Sequence, residues 1–205
     1  MKKFELTNEF VTNMFGTKLF RIRALVEFGD VEAGELGGYV EKESNLGHDD
    51  NAWVYGDARV YDNALVYDNA RVYGDAQVSG DARVYDNARV YGDAWVYGDA
   101  WVYGNALVCG NARVYDNARV YGDAWVYGNA RVCGNGDYAY AHGFGSVNRT
   151  TTFFRLKDGG VGVRCGCFYG TLAQFRDKIR ETHGETKKAQ EYLMLADLMK
   201  LRFEK

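Results

Sequence analysis

The chain has 205 residues and a formal net charge of −3, with 47% hydrophobic and 26% charged residues. This composition is that of a folded protein, and the slight negative charge gives no general attraction to nucleic acid or anionic lipid. No signal peptide and no apolar run long enough to span a bilayer is recognisable, so we expect no membrane partner. Four cysteines without a disulfide framework favour a reducing cytoplasm.

The first fifty residues predict a cap made of short β-strands. Segments 4–6 and 19–25 read as strands, the second because apolar and basic residues alternate along it. Residues 28–40 have the pattern of a degenerate coil that leads into a repeat. Because a repeat protein needs an atypical first unit over its open end, we predict an N-terminal β cap at 1–50.

Residues 51–134 consist of a six-residue unit repeated fourteen times without an insertion. The unit is Asx-Ala-x-Val-Tyr-Gly/Asp, with Ala second and Val fourth in every copy. Side chains two apart in a strand share a face, so Ala and Val are expected to form a core while the residue between them points outward. Gly, Asn and Asp tolerate positive φ, which predicts a corner after each short strand. Each hexad is therefore predicted to be one strand and one corner.

This pattern resembles the hexapeptide-repeat family at its small and aliphatic positions, although Tyr usually stands where that family has Gly. The resemblance implies an all-β solenoid at 51–140, a three-sided, left-handed parallel β-helix with three hexads per turn. A closer similarity, over 1–134, is to uncharacterised hexapeptide proteins of bacteria and their prophages. It rests on segments 19–25 and 36–46 and on the Tyr-Gly-Asp-Ala array. Some of those proteins are labelled transferases on the basis of fold alone.

With three hexads per turn, equivalent side chains stack from coil to coil. One tyrosine column is unbroken, whereas Ser79, Cys109 and Cys133 interrupt the others. Arginine and tryptophan alternate beside it, an arrangement that suits cation–π stacking. Such a face could bind a carbohydrate, a nucleotide or a protein, or mediate self-association. Aspartates at the corners disfavour nucleic acid. The predicted binding surface is Tyr67, Tyr85, Tyr103, Tyr121, Arg83, Trp101 and Arg119.

Residues 141–205 predict a small α+β domain. Segments 151–156 and 161–168 read as a hairpin, and Thr171 and Thr186 read as the N-caps of two helices. The second helix carries leucines outside its main apolar stripe, so two of its sides are apolar. We therefore expect a homo-oligomer, either a dimer or a trimer, that forms through the C-terminal helices.

No residue set predicts a metal or a bound cofactor. The hexapeptide family includes many acyltransferases that use acyl-CoA and a histidine base, which makes acyl transfer the enzyme hypothesis. The array has no histidine, and His142, beside a Gly-rich segment, is a better candidate than His48. We favour a non-catalytic, oligomeric β-helical binding or scaffold protein of bacterial or phage origin. The alternatives are an acyl-CoA-dependent acyltransferase and a phage counter-defence protein that sequesters a host protein or nucleotide signal.

Overall fold

The computed structural model describes residues 2–144 and 149–204. Its centre is a β-solenoid in which each hexad contributes one very short strand. A strand pairs in parallel with the strand three hexads later, so that Val54 lies beside Val72. The result is a three-sided coil of about five turns, as predicted. The left-handedness of the coil, which the family resemblance implies, stays a prediction. The strands are β4 (Trp53–Val54), β5 (Arg59–Val60), β6 (Leu65–Val66), β7 (Arg71–Val72), β8 (Gln77–Val78), β9 (Arg83–Val84), β10 (Arg89–Tyr91), β11 (Trp95–Val96), β12 (Trp101–Val102), β13 (Leu107–Cys109), β14 (Arg113–Val114), β15 (Arg119–Val120), β16 (Trp125–Val126) and β17 (Arg131–Val132).

Three longer strands precede the coil, namely β1 (Phe4–Thr12), β2 (Lys18–Ala24) and β3 (Leu36–Val40). β1 and β2 form an antiparallel hairpin, and β3 pairs antiparallel with β2 but parallel with β5. β3 thereby joins the hairpin to one side of the solenoid in an eight-stranded sheet. A 3-10 helix at Glu43–Asn45 follows β3. These elements occupy the segment predicted to be an N-terminal cap, and the assignment of 1–50 as a cap stays a prediction.

The core is a thin prism of alanine and valine. In all fourteen hexads these two side chains are at most 1% exposed, which confirms the predicted inward positions. Phe4 closes this core at the N-terminal end, and Tyr138 and Phe154 join it at the C-terminal end. Trp53 differs from its predicted outward orientation, because Phe4 and Phe28 cover it and leave it 0% exposed.

The corners depend on left-handed backbone, as predicted. The sixth residue of thirteen hexads has positive φ and is either Gly or Asp. Where Asp occupies the corner, its carboxylate can bond to the next coil: Asp86 Oδ2 accepts a hydrogen bond from the Gly104 amide at 3.0 Å. Where Gly occupies it, the backbone of the next coil often lies very close, although nothing lies near Gly56. A Cβ at Gly98 would stand 2.9 Å from the amide nitrogen of Asp116.

A four-stranded antiparallel sheet and two helices follow the coil. They are β18 (Tyr138–Phe144), β19 (Arg149–Arg155), β20 (Val161–Cys165), β21 (Phe168–Thr171), α1 (Leu172–His183) and α2 (Lys187–Phe203). Thr171 and Thr186 cap the helices as predicted, each accepting a bond from the backbone amide three residues later. Neither helix, in the part of the chain that the structure describes, is long and apolar enough to cross a membrane.

The structure differs from the predicted C-terminal region in two places. Residues 138–140 were assigned to the end of the solenoid and 141–144 to the C-terminal domain, but 138–144 form one strand, β18, which pairs with β19. Segment 161–168, expected to be one strand, is divided by a two-residue turn that pairs Cys165 with Phe168. The turn starts at Gly166 with φ 58°, and glycine with positive φ at this place is typical of a tight type II′ hairpin.

Candidate functional site

The tyrosine ladder, defined as Tyr67, Tyr85, Tyr103 and Tyr121, runs along one side of the solenoid. Its ring centroids are 5.0, 5.0 and 5.3 Å apart, with interplanar angles of 4°, 1° and 17°. The stack follows from parallel pairing without a register shift, which places identical hexad positions directly above one another. Burial raises the pKa of the Tyr85 hydroxyl, and the neighbouring tyrosines add to this effect. The hydroxyl is therefore a neutral donor at neutral pH.

Beside the ladder, Trp101 lies between two arginines. The Arg83 and Arg119 guanidinium carbons are 5.1 and 4.7 Å from its ring centroid. Each arginine belongs to an adjacent coil and occupies the same hexad position as Trp101. The parallel pairing of the strands therefore places one arginine on each side of the tryptophan. Neither guanidinium forms an ion pair within residues 2–144 and 149–204. Both charges remain available to an external anion.

The ladder ends in a groove of about 590 Å³ between the last coil, β18 and α2. Its volume is within the range of about 300–1,000 Å³ that is usual for small-molecule sites. Three residues of the predicted surface line it, whereas Tyr67, Tyr85, Arg83 and Trp101 lie farther along the coil. We call this site the groove. Its lining is Tyr103, Arg119, Tyr121, Asn135, Tyr138, Ala139, Tyr140, Met199 and Arg202.

The groove is polar and positively charged. Arg119 and Arg202 line it, and no carboxylate does so among the described residues. Arg202 Nη2 donates to the Asn135 carbonyl at 3.4 Å, and Asn135 Oδ1 accepts from the Arg119 amide at 3.0 Å. Burial raises the pKa of Tyr140, so its phenol remains neutral. The local charge is thus opposite in sign to the net charge of the chain.

Several groove residues were not predicted. Tyr138 and Tyr140 belong to β18, and their rings stand edge-to-face with Tyr121 at 6.4 and 6.1 Å. The alternation Tyr138-Ala139-Tyr140-Ala141 is a strand signal that could have indicated them. Arg202 had no comparable signal, because its position depends on how α2 packs across the end of the coil.

The two histidines considered as bases lie apart from the groove lining. His142 is exposed on β18, and its Nδ1 is 2.8 Å from the Thr150 hydroxyl. His48 has a role in the cap: its ring stacks on Phe4 at 4.5 Å, and its Nε2 is 3.2 Å from Glu43 Oε1. Among the residues placed by the structure, no three His, Cys, Asp or Glu side chains cluster as metal ligands.

One side of α2 is apolar and exposed. Met194, Leu198 and Leu201 are 71%, 56% and 70% exposed, while Leu195 is 8% exposed and packs into the C-terminal core. Their i, i+4, i+7 spacing places the three exposed side chains on one stripe. This stripe is part of the surface predicted for oligomerisation.

Comparison with known proteins supports the fold. The family model described as YdcK Beta solenoid repeat matches residues 52–67, 58–74, 64–80, 76–88, 82–98 and 112–128. These matches lie within the coil and cover less than half of the chain. Successive matches begin six or twelve residues apart up to residue 82, in agreement with the hexad. No curated protein matches the chain significantly.

Proposed function

We propose that this protein is a non-catalytic binding protein that uses the solenoid as a rigid scaffold and the groove as its ligand site. The observation that carries the proposal is the pair of guanidiniums, Arg119 and Arg202, which line a groove without a carboxylate among the described residues. Arginines that form no ion pair and lie beside aromatic rings commonly bind an external anion. The stacked coils hold Arg119 in place at little entropic cost, because Trp101 already fixes its guanidinium.

The test is the identification of small molecules that co-purify with the protein. We expect mass spectrometry of denatured wild-type protein to detect a bound anion that is depleted in the Arg119→Ala/Arg202→Ala double variant. The matched control is Arg113→Ala/Arg180→Ala, which removes an array arginine stacked on Trp95 and an exposed helix arginine. Equal ligand content in all three proteins would contradict the proposed site.

Self-association through α2 is part of the proposal. The exposed stripe of Met194, Leu198 and Leu201 supports it, because covering apolar side chains with a second surface removes them from water and stabilises the complex. We expect light scattering after size exclusion to show a dimer or trimer that Leu198→Asp/Leu201→Asp converts to a monomer. Phe15→Asp, at the exposed tip of the β1–β2 hairpin, is the control. A monomeric wild type would contradict this part.

Acyl transfer is the second candidate, and it rests on exposed His142 beside Thr150. A base next to a hydroxyl could abstract a proton from an acceptor held there. No second reacting group is assigned, so binding is preferred. If acyl-CoA stabilised the wild type against heat but not His142→Ala, the transferase would be favoured.

We place the protein in the cytoplasm in this proposal, since all four cysteines are free thiols.

A further inference from the structure

The end of the tyrosine ladder differs from its interior. Tyr67, Tyr85 and Tyr103 are each followed by a parallel ring at about the same spacing, but Tyr121 is followed only by the perpendicular rings of Tyr138 and Tyr140. Tyr121 is 43% exposed, whereas the three earlier rings are partly buried. The stack therefore stops at a ring with accessible surface inside the groove. A flat ring supplied by a ligand would find an aromatic partner there.

Positive charge lies next to this ring. Arg119 belongs to the same coil as Tyr121, two residues before it, and Arg202 approaches from α2. Neither guanidinium forms an ion pair in 2–144 or 149–204. Guanidinium groups bind phosphate by paired, charge-assisted hydrogen bonds. One compact site thus offers an aromatic surface and two phosphate donors.

We infer that the groove binds a nucleotide, with the base against Tyr121 and the phosphate between Arg119 and Arg202. This inference rests on the proposed function and names its ligand class. A nucleotide joins an aromatic ring to a phosphate, so it uses both features of the groove at once. Burial raises the pKa of Tyr140, so its hydroxyl stays neutral and adds a hydrogen-bond donor for the sugar or the phosphate.

Two other ligand classes fit less well. An anionic sugar such as glucuronate would engage the arginines but has no aromatic ring to stack on Tyr121. A long single strand of nucleic acid needs a track of ring faces along the protein. In the ladder, however, the faces of Tyr85 and Tyr103 are each covered by parallel neighbours on both sides. A single base needs only one ring, and Tyr121 has accessible surface in the groove beside the arginines.

Calorimetric titration of the full chain at low salt tests the inference. The ligands are AMP, GMP, CMP and UMP, with adenosine, inorganic phosphate and glucuronate as partial ligands. We expect at least one nucleotide to bind at least about tenfold more tightly than every partial ligand, because only a nucleotide uses both features. Adenosine without a phosphate and phosphate without a base separate the two contributions.

Variants assign the binding to individual groups. Arg119→Ala/Arg202→Ala is expected to weaken nucleotide binding by about a hundredfold, since two charge-assisted contacts are lost. Tyr121→Ala is expected to weaken it about 5- to 150-fold, as for the loss of one stacking platform, whereas Tyr121→Phe keeps the ring and should bind nearly as the wild type does. Arg113→Ala/Arg180→Ala should leave the affinity unchanged.

The outcomes separate this inference from the proposed function. If no nucleotide binds, or glucuronate binds as tightly, the nucleotide assignment is wrong. The proposed function would still hold if the wild type carried another small molecule that Arg119→Ala/Arg202→Ala lacked. If nucleotides bind equally well to Arg119→Ala/Arg202→Ala and to the wild type, the groove is not their site and the inference fails.

Discussion

Replacing Gly98 by alanine tests whether close stacking of the corners stabilises the coil. Gly98 has φ +69°, and an added Cβ would lie 2.9 Å from the Asp116 amide nitrogen and 3.2 Å from its Cα. The left-handed backbone alone costs a residue with a Cβ about 1–2 kcal/mol. The forced shift of the next coil adds about 1–3 kcal/mol, as in other overpacked sites. We therefore expect Gly98→Ala to lower the free energy of unfolding by about 2–5 kcal/mol.

Gly56 provides a matched control at the same hexad position. Its φ is +59°, but nothing lies within 4 Å of the Cβ that alanine would add. Gly56→Ala should therefore cost only the backbone contribution of about 1–2 kcal/mol. Urea denaturation followed by circular dichroism measures both variants, provided that the slope m is unchanged between them. Equal destabilisation by the two substitutions would refute the stacking argument, because the backbone conformation alone would then explain both losses.

Two further substitutions probe a corner and the cap. Asp86→Ala should cost about 1–3 kcal/mol in urea denaturation, because it removes the acceptor of the Gly104 amide, whereas Asp86→Asn keeps an acceptor and should cost less. An equal loss in both would show that the bond contributes nothing. Burial lowers the pKa of Lys3 from 10.5 to about 8, and Asp50 and Asp49 offset this only in part. The unfolded chain then binds this proton more tightly, so wild type should gain stability relative to Lys3→Met, by at most about 3 kcal/mol, as pH rises from 8 to 10.5. If the free energies of unfolding of the wild type and of Lys3→Met changed equally with pH, the lowered pKa of Lys3 would be contradicted.

The hexad predicted the short strands, the corners and the buried positions, and the family resemblance added the three hexads per turn from which the ladder follows. The Ala at the second position and the Val at the fourth position of each hexad determine which side chains are buried, because a strand alternates its faces. Fourteen copies without an insertion then keep the register constant. Tyr67 to Tyr121 and the residues beside them, including Trp101, consequently stack in the predicted order.

The site at the end of the ladder was predicted only in part. Tyr103, Tyr121 and Arg119 were predicted because they repeat with the coil. Tyr138 and Tyr140 belong to a strand whose pairing with β19 is a tertiary contact. Segment 161–168 was predicted wrongly for a local reason, since alternation alone did not reveal the tight turn at Gly166.

The sequence by itself therefore determined the short strands, the corners and the buried positions of the coil. With the three hexads per turn that the family resemblance implies, it also determined the stacked columns, since a fixed period keeps the same neighbours from coil to coil. Only the tertiary structure decided which columns are exposed and where a ligand could enter. Trp53 occupies an outward hexad position but is buried by the cap, and Tyr121 occupies the same position as Tyr85 but opens into the groove. Arg202 reaches that groove from α2, more than eighty residues later in the chain. No period relates these groups, because their contacts arise from the packing of the ends against the coil.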